Sequence, residues 1–266
     1  MIQSGQRLVM KFGGTSMGSA ERMRVAAQIC ADAPCPRVVV VSAMSKVTDL
    51  LLATLRAAEE GDRQAVAQNI ATLAKRHEDV CRELLPADRQ PPILAAIATL
   101  IYEFERISGG IMMLAERPPR AVDEALAIGE RLSATLMAAC LEANGIPAVA
   151  VNARQVVVTD SIFGNASPLM DLTRERAAKV IHPLLDAGLL PVVTGFNGAT
   201  HDGKPTTLGR GGSDFSASIL ASALDATELW IWTDVDGIMS ADPRLVPDAA
   251  VLDIVTYREA AELAYN

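Results

Sequence analysis

The sequence predicts an α/β fold: a two-lobed, three-layer α/β/α sandwich around a mainly parallel sheet. Three observations lead there. Short β-branched runs alternate with stretches of helical period towards both ends of the chain. Glycine-rich turns follow several of those runs, as in parallel sheets that bind ligands beyond the carboxyl ends of their strands. Between about 48 and 145 the pattern is helical throughout, with no strand signal.

Taken in order, RLVMKF (7–12) reads as a short buried strand, GGTSMGS as a turn and ERMRVAAQICA as a helix. RVVVVSA (37–43) is a second buried strand between a proline-flanked loop and SAMSK. Together they make a βαβ unit. Segments 49–59, 62–84, 91–107 and 120–143 each repeat apolar residues at three- and four-residue spacing, with LPADRQPP and ERPPR as breakers. They are expected to pack as a helical layer beside the sheet. PAVAV (147–151) and QVVVTD (155–160) read as strands, 173–188 as a helix stopped by Gly188, and LLPVVTGF (189–196) as the next strand. A polar, glycine-rich stretch covers 197–214 and reads as irregular. A helix over 213–224, a strand ELWIWTD (228–234), a DVDG turn and a helix YREAAELAY (257–265) complete the chain. The expected division is a first lobe over 1–194 and a second over 195–266.

The chain has 266 residues, 50% hydrophobic and 21% charged, which excludes disorder. At about 150 residues per domain it holds one large domain or two lobes. Aromatics are only 4%, so Ala, Val, Leu and Ile must fill the core, with the ten methionines as further filling. With 24 basic against 32 acidic residues the net charge is −8, which argues against a general nucleic-acid surface. An anionic substrate would need a local cationic pocket. The cysteines, Cys30, Cys35, Cys81 and Cys140, form no CxxC pair and read as reduced thiols. His77, His182 and His201 pair with no nearby Cys or Asp and read as ordinary surface or loop residues. The N-terminal apolar run stops at Lys11, and no stretch reaches the ~18 apolar residues of a membrane span. A cytoplasmic setting is expected.

Four places could hold chemistry. Lys11-Phe12-Gly13-Gly14-Thr15-Ser16 lies between a strand and a helix, where free N–H groups and a lysine suit phosphate oxygens. The lysine precedes the glycines, so this is no Walker A loop, and a plain turn competes with the phosphate reading. Gly209-Arg210-Gly211-Gly212-Ser213-Asp214 opens a helix, and its arginine suits bidentate pairing with carboxylate or phosphate. Thr233-Asp234-Val235-Asp236-Gly237 ends an apolar strand; a hairpin-type turn and a nucleotide-binding turn both remain open, and an EF-hand loop does not fit. Glu130 follows Gly129 within a helix, where an acid in isolation reads as a solvated face.

Jointly, KFGGTS, VVVSAMSKVTDLL, GRGGSD and WTDVDGIMSADPR resemble the amino-acid kinase superfamily, and within it the aspartate kinases, in order and from about Leu8 to Tyr265. The resemblance implies the amino-acid kinase fold and ATP-dependent phosphorylation of the β-carboxylate of L-aspartate. It also implies the site residues. Lys11 would contact the transferring phosphoryl group, and Gly13, Gly14 and Ser16 would cradle phosphates. Ser42 and Thr48 match substrate-loop hydroxyls, and Glu130 matches the acid that pairs with the substrate ammonium. Arg210 would clamp the α-carboxylate, with Ser213 and Asp214 completing that site and Phe196 walling it. Thr233, Asp234, Met239 and Arg244 match ATP contacts, Met239 standing where many relatives place an aromatic. Mg²⁺ would ride on the ATP phosphates, with no protein ligands of its own.

In the family a Phe-Gly-Ala-Lys sequence follows EAAELAY, and its lysine contacts ATP; here Asn266 comes first. The resemblance therefore implies a truncated nucleotide lobe without ACT regulatory domains; a homodimer mate and a fused C-terminal domain both remain open as partners. Two other readings compete with an active kinase. One is a catalytically incomplete binding fragment of a longer aspartate kinase, monofunctional or bifunctional, that needs a C-terminal segment or partner. The other is a kinase for a different small carboxylate or carbamate, against which Glu130 and Arg210 speak together by fitting both charges of an α-amino acid.

Overall fold

The computed structural model describes residues 7–33, 37–209, 211–242 and 245–265. They form two compact units, Met1–Trp232 and Thr233–Asn266. The first unit opens with β1 (Leu8–Phe12), α1 (Ala20–Asp32) and β2 (Arg37–Val41). Next come α2 (Val47–Glu59), α3 (Arg63–Leu84), α4 (Gln90–Leu114) and α5 (Pro119–Ala143). The chain returns through β3 (Ala148–Val151), β4 (Val158–Thr159), α6 (Met170–Asp186) and β5 (Leu190–Thr194). It then runs through β6 (Asn197–Thr200), β7 (Pro205–Thr207), α7 (Gly212–Ala223) and β8 (Glu228–Trp232). The second unit contains an antiparallel bridge between Met239 and Val251 and ends in α8 (Tyr257–Tyr265).

The main sheet has five strands in the order β3-β5-β2-β1-β8, and every neighbouring pair is parallel. Side chains alternate across it, so each face meets its own helices. Leu8, Met10 and Phe12 of β1 join one core with α1 to α5, while Val9 joins a second core with α6 and α7. The result is α/β/α. The valine run of β2 follows from this, because Val39 and Val41 enter the first core and Val38 and Val40 the second. A strand covered on both faces reads as unbroken apolar sequence.

The stretch 197–214 departs from its reading. It holds an antiparallel hairpin of β6 and β7, and β4 pairs parallel with β6 to make a three-stranded sheet. These strands are buried yet built from Asn, Gly, Thr, Ala and Pro, so hydrophobic alternation gives no signal. Their hydroxyls are matched inside the protein, as where Thr159 Oγ1 meets Thr206 Oγ1 at 2.7 Å. Within 155–160 only Val158–Thr159 is strand, preceded by a 3-10 turn over Ala153–Gln155.

The histidine reading also needs correction. His77 is fully buried on the inner face of α3, in line with Leu73, Val80, Cys81 and Leu84. Its Nδ1 lies 2.7 Å from the Leu73 carbonyl oxygen, and its Nε2 has no hydrogen-bond partner among the described residues. Burial holds its pKa down at about 4. Cys30, Cys81 and Cys140 are free, buried thiols, and desolvation pushes Cys30 up to about 12 and Cys140 to about 11. Cys35 lies outside the described residues. Among the described residues no helix is long and apolar enough to cross a membrane.

Unfolding releases His77 to its ordinary pKa of 6.5, so the unfolded chain binds the extra proton between about 4 and 6.5. Stability is expected to fall as pH drops through that window, by up to about 3 kcal/mol from this group. His77→Leu should remove that part of the acid limb. Urea midpoints measured from pH 7 to 4 on both proteins check it, and parallel limbs would reject it.

Candidate active site

A cavity of about 670 Å³ lies at the carboxyl ends of β1, β2 and β5. Its position follows from the connections. The chain leaves β2 into the α1–α5 layer, whereas β5 leads through the hairpin into α7 on the opposite face. The crevice between strands whose connections diverge is where open parallel sheets bind ligands. Backbone bonds tie its rims together: Ser42 N to Phe12 O at 3.1 Å, Ser45 N to Gly14 O at 2.9 Å and Gly195 N to Val41 O at 2.8 Å. A Cβ on Gly14 would meet the Ala43 carbonyl oxygen at 3.0 Å, so glycine lets the β1 turn lie against loop 42–46.

Lys11 is set by alternation. It shares a face of β1 with Val9, the face that α7 covers. Its Nζ lies 2.6 Å from Asp214 Oδ1, in the first turn of α7. The lysine is buried, while Asp214 is about half exposed, at 51%. An acid there also suits the helix N-terminus.

Glu130 enters from α5 and is buried, at 3% exposure. Its Oε1 accepts from Ala43 N at 3.3 Å, and Oε2 has no partner among the described residues. Desolvation pushes its pKa up to about 8 against the lowering effect of the Ala43 N–H. Gly129 makes this placement feasible, because a Cβ there would meet Ala43 Cβ at 2.9 Å and Val47 Cγ1 at 3.3 Å. The solvated-face reading of Glu130 therefore fails: close packing of α5 on loop 43–47 removes water from that side.

Asp123, which sequence reasoning missed, sits two helical turns before Glu130 and also lines the cavity. Its Oδ2 accepts from Gly164 N at 2.8 Å and Thr207 N at 3.1 Å, and its Oδ1 accepts from Thr207 Oγ1 at 2.7 Å. Burial raises its pKa against these bonds. The carboxylate thus joins α5, the loop at 164 and β7. The heptad spacing of Asp123 and Glu130 on an otherwise apolar helix face was the available signal.

Of the other sequence-derived candidates, Gly14, Ser42, Thr48, Phe196 and Ser213 line the same cavity as Lys11, Glu130 and Asp214. Phe196 takes a left-handed backbone, φ 69°, and its N–H donates to Ser216 Oγ at 2.7 Å. A Cβ on Gly212 would approach the Phe196 ring to 2.7 Å. Gly13 and Ser16 lie in the turn after β1, and α1 starts only at Ala20 behind its Ser19 cap, so the glycines do not themselves open the helix. Thr233, Asp234 and Met239 belong to the second unit, where Thr233 Oγ1 lies 3.2 Å from Asp234 Oδ1. Arg210 and Arg244 lie outside the described residues.

Residues 6–266 match a family model described as the amino acid kinase family. The chain is 36% identical over 260 residues to an aspartokinase of Chlamydia muridarum, covering 97% of this chain and 54% of that protein. It is also 36% identical to the lysine-sensitive aspartokinase 3 of Escherichia coli over 97% of this chain and 55% of that one. The chain thus spans about half the length of these curated relatives. The crystal structure of E. coli aspartokinase III in complex with aspartate and ADP matches with a TM-score of 0.90 at 33% identity. That match covers 98% of this chain and 56% of that one.

The raised Glu130 pKa means the native state holds a proton there, between about 4.5 and 8, that the unfolded chain gives up. Stability is expected to fall as pH rises through this window. Glu130→Gln should flatten the slope between pH 6.5 and 8, above the His77 range. The difference between the two proteins isolates Glu130, since Asp123 is common to both. Denaturation midpoints at pH 6.5, 7 and 8 measure it, and equal slopes would reject the assignment.

Proposed function

The chain belongs to the amino acid kinase family, and from that premise we propose that it transfers the γ-phosphoryl group of ATP to the β-carboxylate of L-aspartate. The product is 4-phospho-L-aspartate, the entry to lysine, threonine and methionine, made in the cytoplasm. One observation supports this above the others: a buried carboxylate with an unpartnered oxygen, Glu130, and an ion-paired lysine, Lys11, line one cavity. The first suits an ammonium ligand and the second a phosphoryl group. The relative whose complex with aspartate and ADP has been solved matches nearly the whole chain.

In this reading a carboxylate oxygen of the acceptor attacks the γ-phosphorus, and the bond to the oxygen bridging to the β-phosphorus breaks, giving acyl phosphate and ADP. The acceptor is already ionised near neutral pH, so no general base is required. Catalysis then consists of alignment and charge neutralisation. Lys11 sits against the transferring group, and Asp214 holds the lysine in place. Glu130 takes the ammonium, Arg210 the α-carboxylate, and Ser42, Thr48 and Ser213 supply hydroxyls beside Phe196. Gly13, Gly14 and Ser16 approach the phosphates. Thr233, Asp234, Met239 and Arg244 are retained as nucleotide contacts by resemblance, within a nucleotide-binding lobe from 195 and an amino-acid lobe before it.

Mg²⁺ fits this donor set as a companion of the phosphates. Asp123 already accepts from three donors and Asp214 is paired with Lys11, so neither is left as a ready metal ligand. The ion would screen the negative charge of the triphosphate. Lys11 and the glycine turn would hold the phosphates that carry the ion, and the ion itself would take its ligands from phosphate oxygens and water.

Three outcomes are expected. The 266-residue chain with Mg-ATP and L-aspartate forms aspartyl hydroxamate when trapped with hydroxylamine. Lys11→Met lowers kcat by about a hundredfold or more, and a fully active variant would sink its role. No product from a folded chain that still binds aspartate would move catalysis to a longer assembly. Finally, aspartate binding below pH 8 releases close to one proton, as Glu130 ionises to meet the ammonium. Calorimetry in buffers of different ionisation enthalpy reads that proton, and no buffer dependence would exclude Glu130 as the ammonium site.

A further inference from the structure

Loop 42–46 brings to the cavity a residue that the proposed reaction has not used. Lys46 precedes α2 and lines the cavity beside Ser42, Ser45 and Thr48. Its backbone is left-handed, φ 64° and ψ 3°, a conformation that glycine adopts without steric cost and that a lysine adopts against it. Among the described residues four non-glycine positions have positive φ: Lys46, Ala115, Phe196 and Asp225. Two of them, Lys46 and Phe196, line this one cavity. Strained backbone concentrated at a ligand cavity points to side chains kept for function.

The charges of the lining add to this. Its described carboxylates are Asp49, Asp123, Glu130 and Asp214, and its described cations are Lys11 and Lys46. Lys11 is closed onto Asp214 at 2.6 Å. Lys46 is exposed and makes no ion pair with a described residue. Its backbone carbonyl accepts from Leu50 N at 3.1 Å, which fixes the start of α2, but no side-chain bond caps that helix. Among the described lining residues acids outnumber cations, and Lys46 is the described cation that is not already engaged, open to a second carboxylate beside the one assigned to Arg210.

We infer that the Lys46 ammonium is a specificity contact for the acceptor, pairing with its side-chain carboxylate at the cavity mouth and selecting acidic over neutral amino acids. The inference rests on the reading that the cavity takes an amino-acid carboxylate. The contact is made with the charged acceptor as it binds, so its loss is read in the acceptor KM more than in the ATP KM. Glycine at this position would suit the backbone better and the ligand worse.

Lys46→Gly, Lys46→Met and Lys46→Arg in the 266-residue chain test it. The glycine and methionine variants are expected to weaken L-aspartate binding about tenfold, as loss of a charge-assisted hydrogen bond does. They should leave the ATP KM within about twofold, and Lys46→Arg should restore most of the affinity. Lys46→Gly should melt no lower than wild type. Aspartate affinity unchanged in both Lys46→Gly and Lys46→Met overturns the inference and leaves the proposed reaction standing. So does a glycine variant that loses stability and binding together, since that makes Lys46 a folding residue. If the wild type binds no aspartate, the proposed reaction falls, and inorganic phosphate becomes the probe for Lys46. Phosphate affinity lost in Lys46→Met then upholds the anion contact, and phosphate affinity unchanged or absent overturns it.

Discussion

The parallel pairing of the five-stranded sheet is the constraint on which the site depends. Because β1, β2 and β5 run the same way, their carboxyl ends finish on one rim, and the turns that follow them must share that space. Parallel strands require crossovers, and the crossovers here divide between two faces. Five helices cover one side and two the other, so a crevice opens between β2 and β5. The same alternation that fills both cores also turns Lys11 towards α7, where Asp214 meets it.

Buried charge is placed there with unequal provision. Asp123 has three donors and serves as a junction between α5, the loop at 164 and β7. Glu130 has one long bond and a second oxygen with no partner among the described residues, and burial raises its pKa to about 8. Two acids on one helix face thus acquire different tasks from their surroundings. An unsatisfied buried carboxylate is costly to fold. Glu130 lines the same cavity as the buried Lys11, and on that pairing of charges the proposed amino-acid site rests.

Much of the fold was legible. The valine run of β2, the strand LVMKF and three of the four long helices were placed to within two residues, and the fourth, α4, runs on from 107 to Leu114; local periodicity and breakers suffice where burial is apolar. The hairpin β6–β7 was not legible. Its strands bury Asn, Gly and Thr, and hydroxyl pairing replaces hydrophobic alternation. His77 was misread for a related reason: one imidazole on an apolar helix face carries no mark of burial until α3 is packed. Asp123 escaped notice because an acid near a helix start ordinarily reads as solvated.

By itself the sequence determined the α/β class, the order of its elements outside the β6–β7 hairpin and the identity of the motifs that close on the cavity, since these depend on local pattern and on spacing. Only the tertiary structure decided which of those residues meet. It set Lys11 on Asp214, buried Glu130 against Ala43 through the space left by Gly129, and left Lys46 in a strained turn at the cavity mouth. The first two are contacts between residues dozens to hundreds of positions apart. Their distances and desolvation exist only once the sheet has brought the strand ends together.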